Sequence, residues 1–182
     1  MSNKYLPKLF SRHFFSQRGF TLLETLVAVF IITVAIAGVF VLISQIISLI
    51  HFSSSKIIAA YLAQEGIEII KNIRDNNYLT GTVAWDSNLP EGEFALDYTT
   101  QGLPDADCLL GDFLKIDGGF YNCTTGLPSK FKRKVIISQK EDLSSPPDGE
   151  PDSMRVEVIV EWQERGNTYQ ISVIGQIYNW LQ

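Results

Sequence analysis

The chain has 182 residues, 46% of them hydrophobic, with 15 basic against 20 acidic side chains and a formal charge of −5 at pH 7. That length fits one modest domain plus appendages. The acidic balance argues against nonspecific nucleic-acid binding, which needs lysine and arginine to neutralise phosphates.

The charge is unevenly spread. Residues 1–19 hold Lys4, Lys8, Arg12 and Arg18 and no acid, a net +4, so the rest carries 11 basic residues against all 20 acids, a net −9. We read 1–19 as a leader. The positive-inside bias places it in the cytoplasm and everything after the following apolar run outside.

From Phe20 to Ile50 the chain reads as an apolar helix without proline. Leu26–Ile43 is interrupted only by Thr33 and Gly38, which reaches the length needed to span a bilayer. Glu24 is the only charge between Arg18 and Lys56. A carboxylate in such a run costs roughly 2.5–3.5 kcal/mol on insertion scales and reads as a functional residue awaiting a partner. A new amino terminus, made by a cut between Gly19 and Phe20, would supply that partner.

The helical pattern continues over 53–77 with a new spacing. Ile58, Tyr61, Leu62, Ile69, Ile70 and Ile73 form one apolar stripe, and Lys56, Gln64, Glu68, Lys71, Asn72 and Asp75 fill much of the other side. Asn76-Asn77 is the expected stop. A helix from Thr21 to Asp75 would be roughly 80 Å long at a rise of about 1.5 Å per residue, far beyond ordinary globular helices, and such a rod implies lateral packing in an assembly. Gly38 and Gly66 read as packing or flexibility points.

From Thr80 the composition turns to Gly, Pro, Asp, Thr and aromatics. Thr82–Trp85, Glu93–Thr99, Asp112–Ile116 and Phe131–Gln139 are strand candidates. The clearest signal is the last hairpin. Met154, Val156, Val158, Val160 and Trp162 alternate with Arg155, Glu157, Ile159, Glu161 and Gln163, then Tyr169, Ile171, Val173 and Ile177 alternate with Gln170, Ser172, Ile174 and Gln176, with Arg165-Gly166-Asn167 as the turn. The inner face of this sheet should cover the amphipathic helix.

Cys108 and Cys123 fall in the exported part, where an even pair points to a disulfide more than to a metal site. Asp105, Asp107, Asp112 and Asp117 sit around the segment that the cysteines span. Oxygen ligands at that density could hold Ca²⁺, but their spacing matches no EF-hand and acid-rich loops are ordinarily just solvated, so no metal and no other cofactor is expected. No Ser/His/Asp, Cys/His or paired-carboxylate arrangement suggests an enzyme.

Residues 18–24, Arg-Gly-Phe-Thr-Leu-Leu-Glu, followed by an apolar helix, resemble the cleavage and methylation signal of type IV pilins and type II secretion pseudopilins. The resemblance implies that Gly19 ends the leader and is needed by the prepilin peptidase, that Phe20 becomes an N-methylated terminus, and that Glu24 is the fifth mature residue. It implies an α+β fold, with a long N-terminal helix packed on a small antiparallel β-sheet head. The domains would be a leader over 1–19, a transmembrane and assembly helix over 20–52, and a head over 53–182. The function implied is that of a structural subunit, closer to a minor pilin or pseudopilin than to a major one. Its partners would be other pilin or pseudopilin subunits, the peptidase, an inner-membrane assembly platform and membrane lipid. Its location would be the cytoplasmic membrane, with the N-terminus inside, and then an extracellular or periplasmic filament.

Two departures stand out. The family often has a kinking proline about twenty residues into the mature helix, whereas Ala37–Ile43 has none, and the cysteine pair lies mid-head instead of pinning the C-terminus. Two other readings compete: an exported binding protein cut after Ala37 at the Ala35-Ile36-Ala37 sequence, and an uncleaved anchor carrying an enzyme head. The first has an acid inside its supposed apolar core. The second lacks a catalytic constellation.

Overall fold

The computed structural model describes residues 19–144 and 149–180. Apart from Gly19, the leader lies outside them, as does part of the proline-rich loop. The architecture is α+β. One helix, α1, spans Leu22–Thr80, followed by β1 (Gly92–Phe94), β2 (Lys115–Asp117), β3 (Phe120–Asn122), β4 (Leu127–Pro128), β5 (Phe131–Glu141), β6 (Ser153–Glu164) and β7 (Asn167–Tyr178). Contacts divide the chain into two units that meet after Ile47.

In the first unit the helix is apolar and exposed throughout. It includes a membrane-length window of which none is buried. In the second unit, the later part of α1 packs on a four-stranded antiparallel sheet in the order β1-β5-β6-β7, and a small three-stranded sheet runs β3-β2-β4. Ala59, Leu62, Ala63, Ile70 and Ile73 of the helix meet Val135, Ile137, Met154, Val156, Val158, Val160 and Trp162 of the sheet in one core. The period-two pattern read from the sequence of β6 and β7 holds: Met154, Val156, Val158 and Val160 are fully buried, and β7 alternates in the same phase, half-buried as an edge strand.

The β6–β7 hairpin closes through Arg165 and Gly166, both with positive φ (52° and 80°), while Asn167 already pairs with Glu164. Two positive-φ residues match the right-handed twist of the flanking strands.

Leu62, Ile69, Ile70 and Ile73 of the expected helix stripe are buried, but Tyr61 is 68% exposed, and the small residues Ser55, Ala59, Ala63 and Gly66 share the buried face. Close approach to the sheet selects small side chains there, which a hydrophobicity pattern underweights. The helix also passes Asn76-Asn77 and ends at Thr80, before Gly81 with φ +62°. Phe52, placed by sequence in the assembly helix, packs edge-on to Tyr169 (centroids 4.9 Å) and tilted against Trp162 (6.3 Å), against the core of the head.

Thr82–Trp85 is not a strand. The buried Asn77 amide donates to the carbonyls of Trp85 (3.0 Å) and Ser87 (2.7 Å), and successive turns follow. Glu93–Thr99 pairs only over Gly92–Phe94, because the Asp97 carboxylate captures the Thr99 amide and bends the chain. The Asp112–Ile116 candidate becomes the shorter β2, shifted to Lys115–Asp117. Phe131–Gln139 is extended by two residues, through a register irregularity between Ser138 and Glu141.

Candidate functional site

Two places carry the candidate residues: the first turn of α1 and the loops around the cysteines. At the first turn, Gly19 and Phe20 precede the helix, and the Phe20 side chain is 78% exposed. The Thr21 hydroxyl accepts from the Glu24 amide (3.2 Å), and the Thr21 carbonyl accepts from the Thr25 amide (3.2 Å). Thr21 is therefore the N-cap and Glu24 the third helical residue. Thr-x-x-Glu is the sequence of a capping box, so Glu24 belongs to a helix start as well as to an apolar run. A carboxylate in this turn also complements the partial positive charge of the helix start. The turn thus begins the helix at Leu22 and holds Glu24 exposed, close in sequence to Phe20.

Beyond Glu24, Leu26, Val29, Phe30, Ile31, Ile32, Val34 and Phe40 are all more than half exposed. Thr33 and Ser44 return their hydroxyls to the carbonyls of Phe30 and Phe40, so these polar groups are satisfied within the helix. Such a surface suits lipid or other apolar helices.

In the head, Cys108 and Cys123 are joined, with Cα atoms 5.2 Å apart. The bridge is tied to the loop after β1 by a buried carboxylate that sequence reasoning missed. Asp97 is 2% exposed and accepts from the Cys123 amide (2.9 Å), the Thr99 amide (2.8 Å) and the Thr99 hydroxyl (2.6 Å). Burial pushes its pKa up, but the Thr99 hydroxyl, these amides and the charge of Arg133 outweigh that and hold it below the ordinary carboxylate value.

Arg133 was also missed, because it sits at an inward position of an alternating strand where the pattern calls for an apolar residue. Its side chain is fully buried and donates to the carbonyls of Leu62 (3.0 Å) and Leu96 (3.1 and 3.3 Å) and to Glu65 (2.5 Å). Burial lowers its pKa and the Glu65 and Asp97 charges oppose that. A guanidinium stays charged under such conditions. It ties helix, β5 and the loop after β1 together.

The four aspartates are not brought together as a ligand set. Asp105 accepts from the Thr100 hydroxyl and the Asp107 amide, and Asp117 accepts from the Thr125 hydroxyl (2.9 Å). The Asp112 amide closes a turn on Leu109. Among the described residues, the one group of three or more metal-type ligands is Asp97, Cys108 and Cys123. Its sulfurs are bonded to each other and are not thiolate ligands.

The apolar first part of α1 is long and apolar enough to cross a membrane, and a small helix-and-sheet head follows it in the chain. Residues 15–40 match the family model of the prokaryotic N-terminal methylation motif, the hallmark of pilin-like and pseudopilin-like prepilins. Proteins of that kind are structural and not catalytic. No curated protein and no solved structure matches the chain.

Proposed function

We propose that this chain is a minor pilin or pseudopilin of a type IV pilus or a type II secretion-like filament. In this reading it enters the cytoplasmic membrane as a prepilin with its head outside, is cut after Gly19 by the prepilin peptidase, and is methylated at Phe20. An inner-membrane platform then assembles it with other subunits. The observation that carries the reading is Glu24. It is an exposed carboxylate in the first turn of α1, whose stretch up to Ile47 is otherwise uncharged, apolar and exposed, and it lies inside the methylation motif.

The chemistry follows from that position. Cleavage exposes an α-amine of pKa about 8, charged at neutral pH. In an apolar assembly a lone carboxylate or ammonium is unfavourable, and the two together compensate. Glu24 of one subunit and the Phe20 amine of its neighbour would therefore fix the axial register of packed helices. Cleavage after Ala37 fits less well, because that bond lies inside α1.

The test is N-terminal mass analysis of the chain made together with a prepilin peptidase. The expected product begins at methylated Phe20, and Gly19→Val should retain the leader. A product beginning at Gly38 would overturn the proposal.

A further inference from the structure

The two edges of the main sheet are built differently. At one edge β1 pairs over only three residues, and β5 is engaged on either side of that short pairing. Its Phe131 carbonyl accepts from the Leu114 amide (2.8 Å), and its Lys140 amide donates to Glu91 (3.1 Å). The other edge is β7, 12 residues long and paired with β6 in unbroken register. Natural sheets blunt an exposed edge with charge, proline, a bulge or a short strand. β7 carries no charged residue and no proline, and it lacks the register shift found between β5 and β6.

The phase of the ladder shows which backbone groups are left over. The Asn179 amide donates to the Asp152 carbonyl (2.7 Å), directly beyond the Ser153–Tyr178 pair. Along an antiparallel strand, residues bonded to the neighbour alternate with residues whose backbone groups point away. The odd-numbered residues of β7 therefore bond β6, and the amides and carbonyls of Thr168, Gln170, Ser172, Ile174 and Gln176 face outward. The row ends at Trp180, whose amide donates to the Tyr78 hydroxyl (3.1 Å).

The inner side of this edge is incomplete as well. Tyr169, Ile171 and Val173 pack against the core but are only half-buried. One more strand would cover that apolar surface and satisfy the backbone row together, and an extended chain is what presents amides and carbonyls at the spacing of such a row. Charge narrows the choice. From Ser48 onward the chain holds 11 basic and 19 acidic residues, a net −8. Two copies therefore repel each other, and a basic segment is attracted.

We propose that the β7 edge is a strand-addition site for an extended segment of another polypeptide, apolar at alternate positions and basic in net charge. Its apolar side chains would lie beside Tyr169, Ile171 and Val173, and its polar ones beside Gln170 and Ser172. The inference uses the head alone and does not depend on the filament reading.

The experiment titrates the full chain, in dodecylmaltoside micelles, against two dye-labelled, end-blocked peptides: Lys-Val-Thr-Val-Thr-Val-Lys and Glu-Val-Thr-Val-Thr-Val-Glu. The lysine peptide should bind about fivefold more tightly at low salt, and added salt should shrink the difference. Its binding should slow hydrogen exchange at the amides of Gln170, Ser172 and Ile174 and leave Ile171 and Val173, already bonded to β6, nearly unchanged. Ile174→Pro removes one outward N–H and no bond to β6, a place where an edge strand tolerates proline. It should weaken binding about tenfold, whereas Ile174→Ala keeps the N–H and should change binding less than about twofold. The exchange pattern of the wild type decides the question however well the proline variant folds. Equal affinity for the two variants, or no slowing at the even-numbered amides, would overturn strand addition. Slow exchange at those amides without peptide, together with a concentration-dependent dimer, would make a second copy the occupant and overturn the proposed partner. Equal binding of the two peptides would overturn its basic character.

Discussion

Gly66 on α1 lies so close to Val158 on β6 that a Cβ added to the glycine would stand 2.7 Å from Val158 Cγ1. Val158 is fully buried in the middle of the main sheet, so it has no room to turn away. In an exposed helix, glycine to alanine gains about 1 kcal/mol. Here overpacking costs about 1–3 kcal/mol, and the clash wins. Gly66→Ala should lower the stability of the folded chain in denaturant or thermal melts. Gly66→Ala combined with Val158→Ala should recover part of the loss relative to Val158→Ala alone.

Arg133 gives a second stability test. Its side chain is fully buried and its guanidinium serves two carbonyls and Glu65 at once. Arg133→Ala leaves these acceptors unsatisfied and should cost about 3–5 kcal/mol. Lysine carries the charge but not the planar fork, so Arg133→Lys should recover only a minor part. Glu65→Gln should cost less than Arg133→Ala, because glutamine keeps an acceptor for the guanidinium and the Asp97 charge remains beside it. Equilibrium unfolding of the three variants ranks them.

These two residues show what the sequence could reveal. The apolar helix, the Gly19–Glu24 signal and the β6–β7 alternation are periodic or local, so they are legible without neighbours. Arg133 and Asp97 are polar residues inside the head, and only the partners that satisfy them explain why they are tolerated. Those partners, Leu62 and Leu96 carbonyls and the Cys123 amide, come from distant segments. Thr82–Trp85 is no strand for a similar reason: Asn77 on the helix donates to the carbonyls of Trp85 and, beyond the segment, Ser87, and the chain turns. The Thr21–Glu24 cap is legible from the Thr-x-x-Glu spacing alone.

Asp97 makes the head sensitive to acid. Its folded pKa lies below the ordinary 3.8, so the unfolded state takes up the proton first as pH falls. Its contribution is fully present above the unfolded value and disappears as pH drops through the lower folded value. Melting temperatures of the wild type should fall across that acidic window. Asp97→Asn should be less stable at neutral pH and should flatten this part of the profile. Parallel curves for the two proteins would show that Asp97 contributes no ionised-state stabilisation.

The Cys108–Cys123 bridge closes a loop of sequence separation 15. A loop of about that size gives roughly 3 kcal/mol in the chain-entropy model. Reduction, or Cys108→Ser with Cys123→Ser, should lower the thermal stability of the head and expose the Asp97 network to exchange. Hydrogen exchange at the Cys123 amide, which Asp97 accepts (2.9 Å), should rise most. Unchanged exchange there would mean that Asp97, and not the bridge, holds the loop.

Glu24 separates folding from assembly. Its backbone amide is held by Thr21 whatever its side chain is, so Glu24→Gln keeps the cap and removes only the charge. The variant should insert at least as well as wild type, since the carboxylate is the costly group in an apolar run. It should also be cut after Gly19 as before. Incorporation into filaments should fall, because the neighbour's Phe20 amine would then be buried without a counter-charge, and breaking such a pair costs about 3–5 kcal/mol. Thr21→Val removes the cap and keeps the charge; its expected effect is fraying of the first turn with incorporation largely retained. Quantifying membrane level, N-terminal processing and filament content for the three proteins distinguishes the roles. Normal insertion and cleavage with lost incorporation in Glu24→Gln alone assigns the carboxylate to register between subunits. Equal incorporation in all three would leave helix packing and head contacts as the only forces that build the filament.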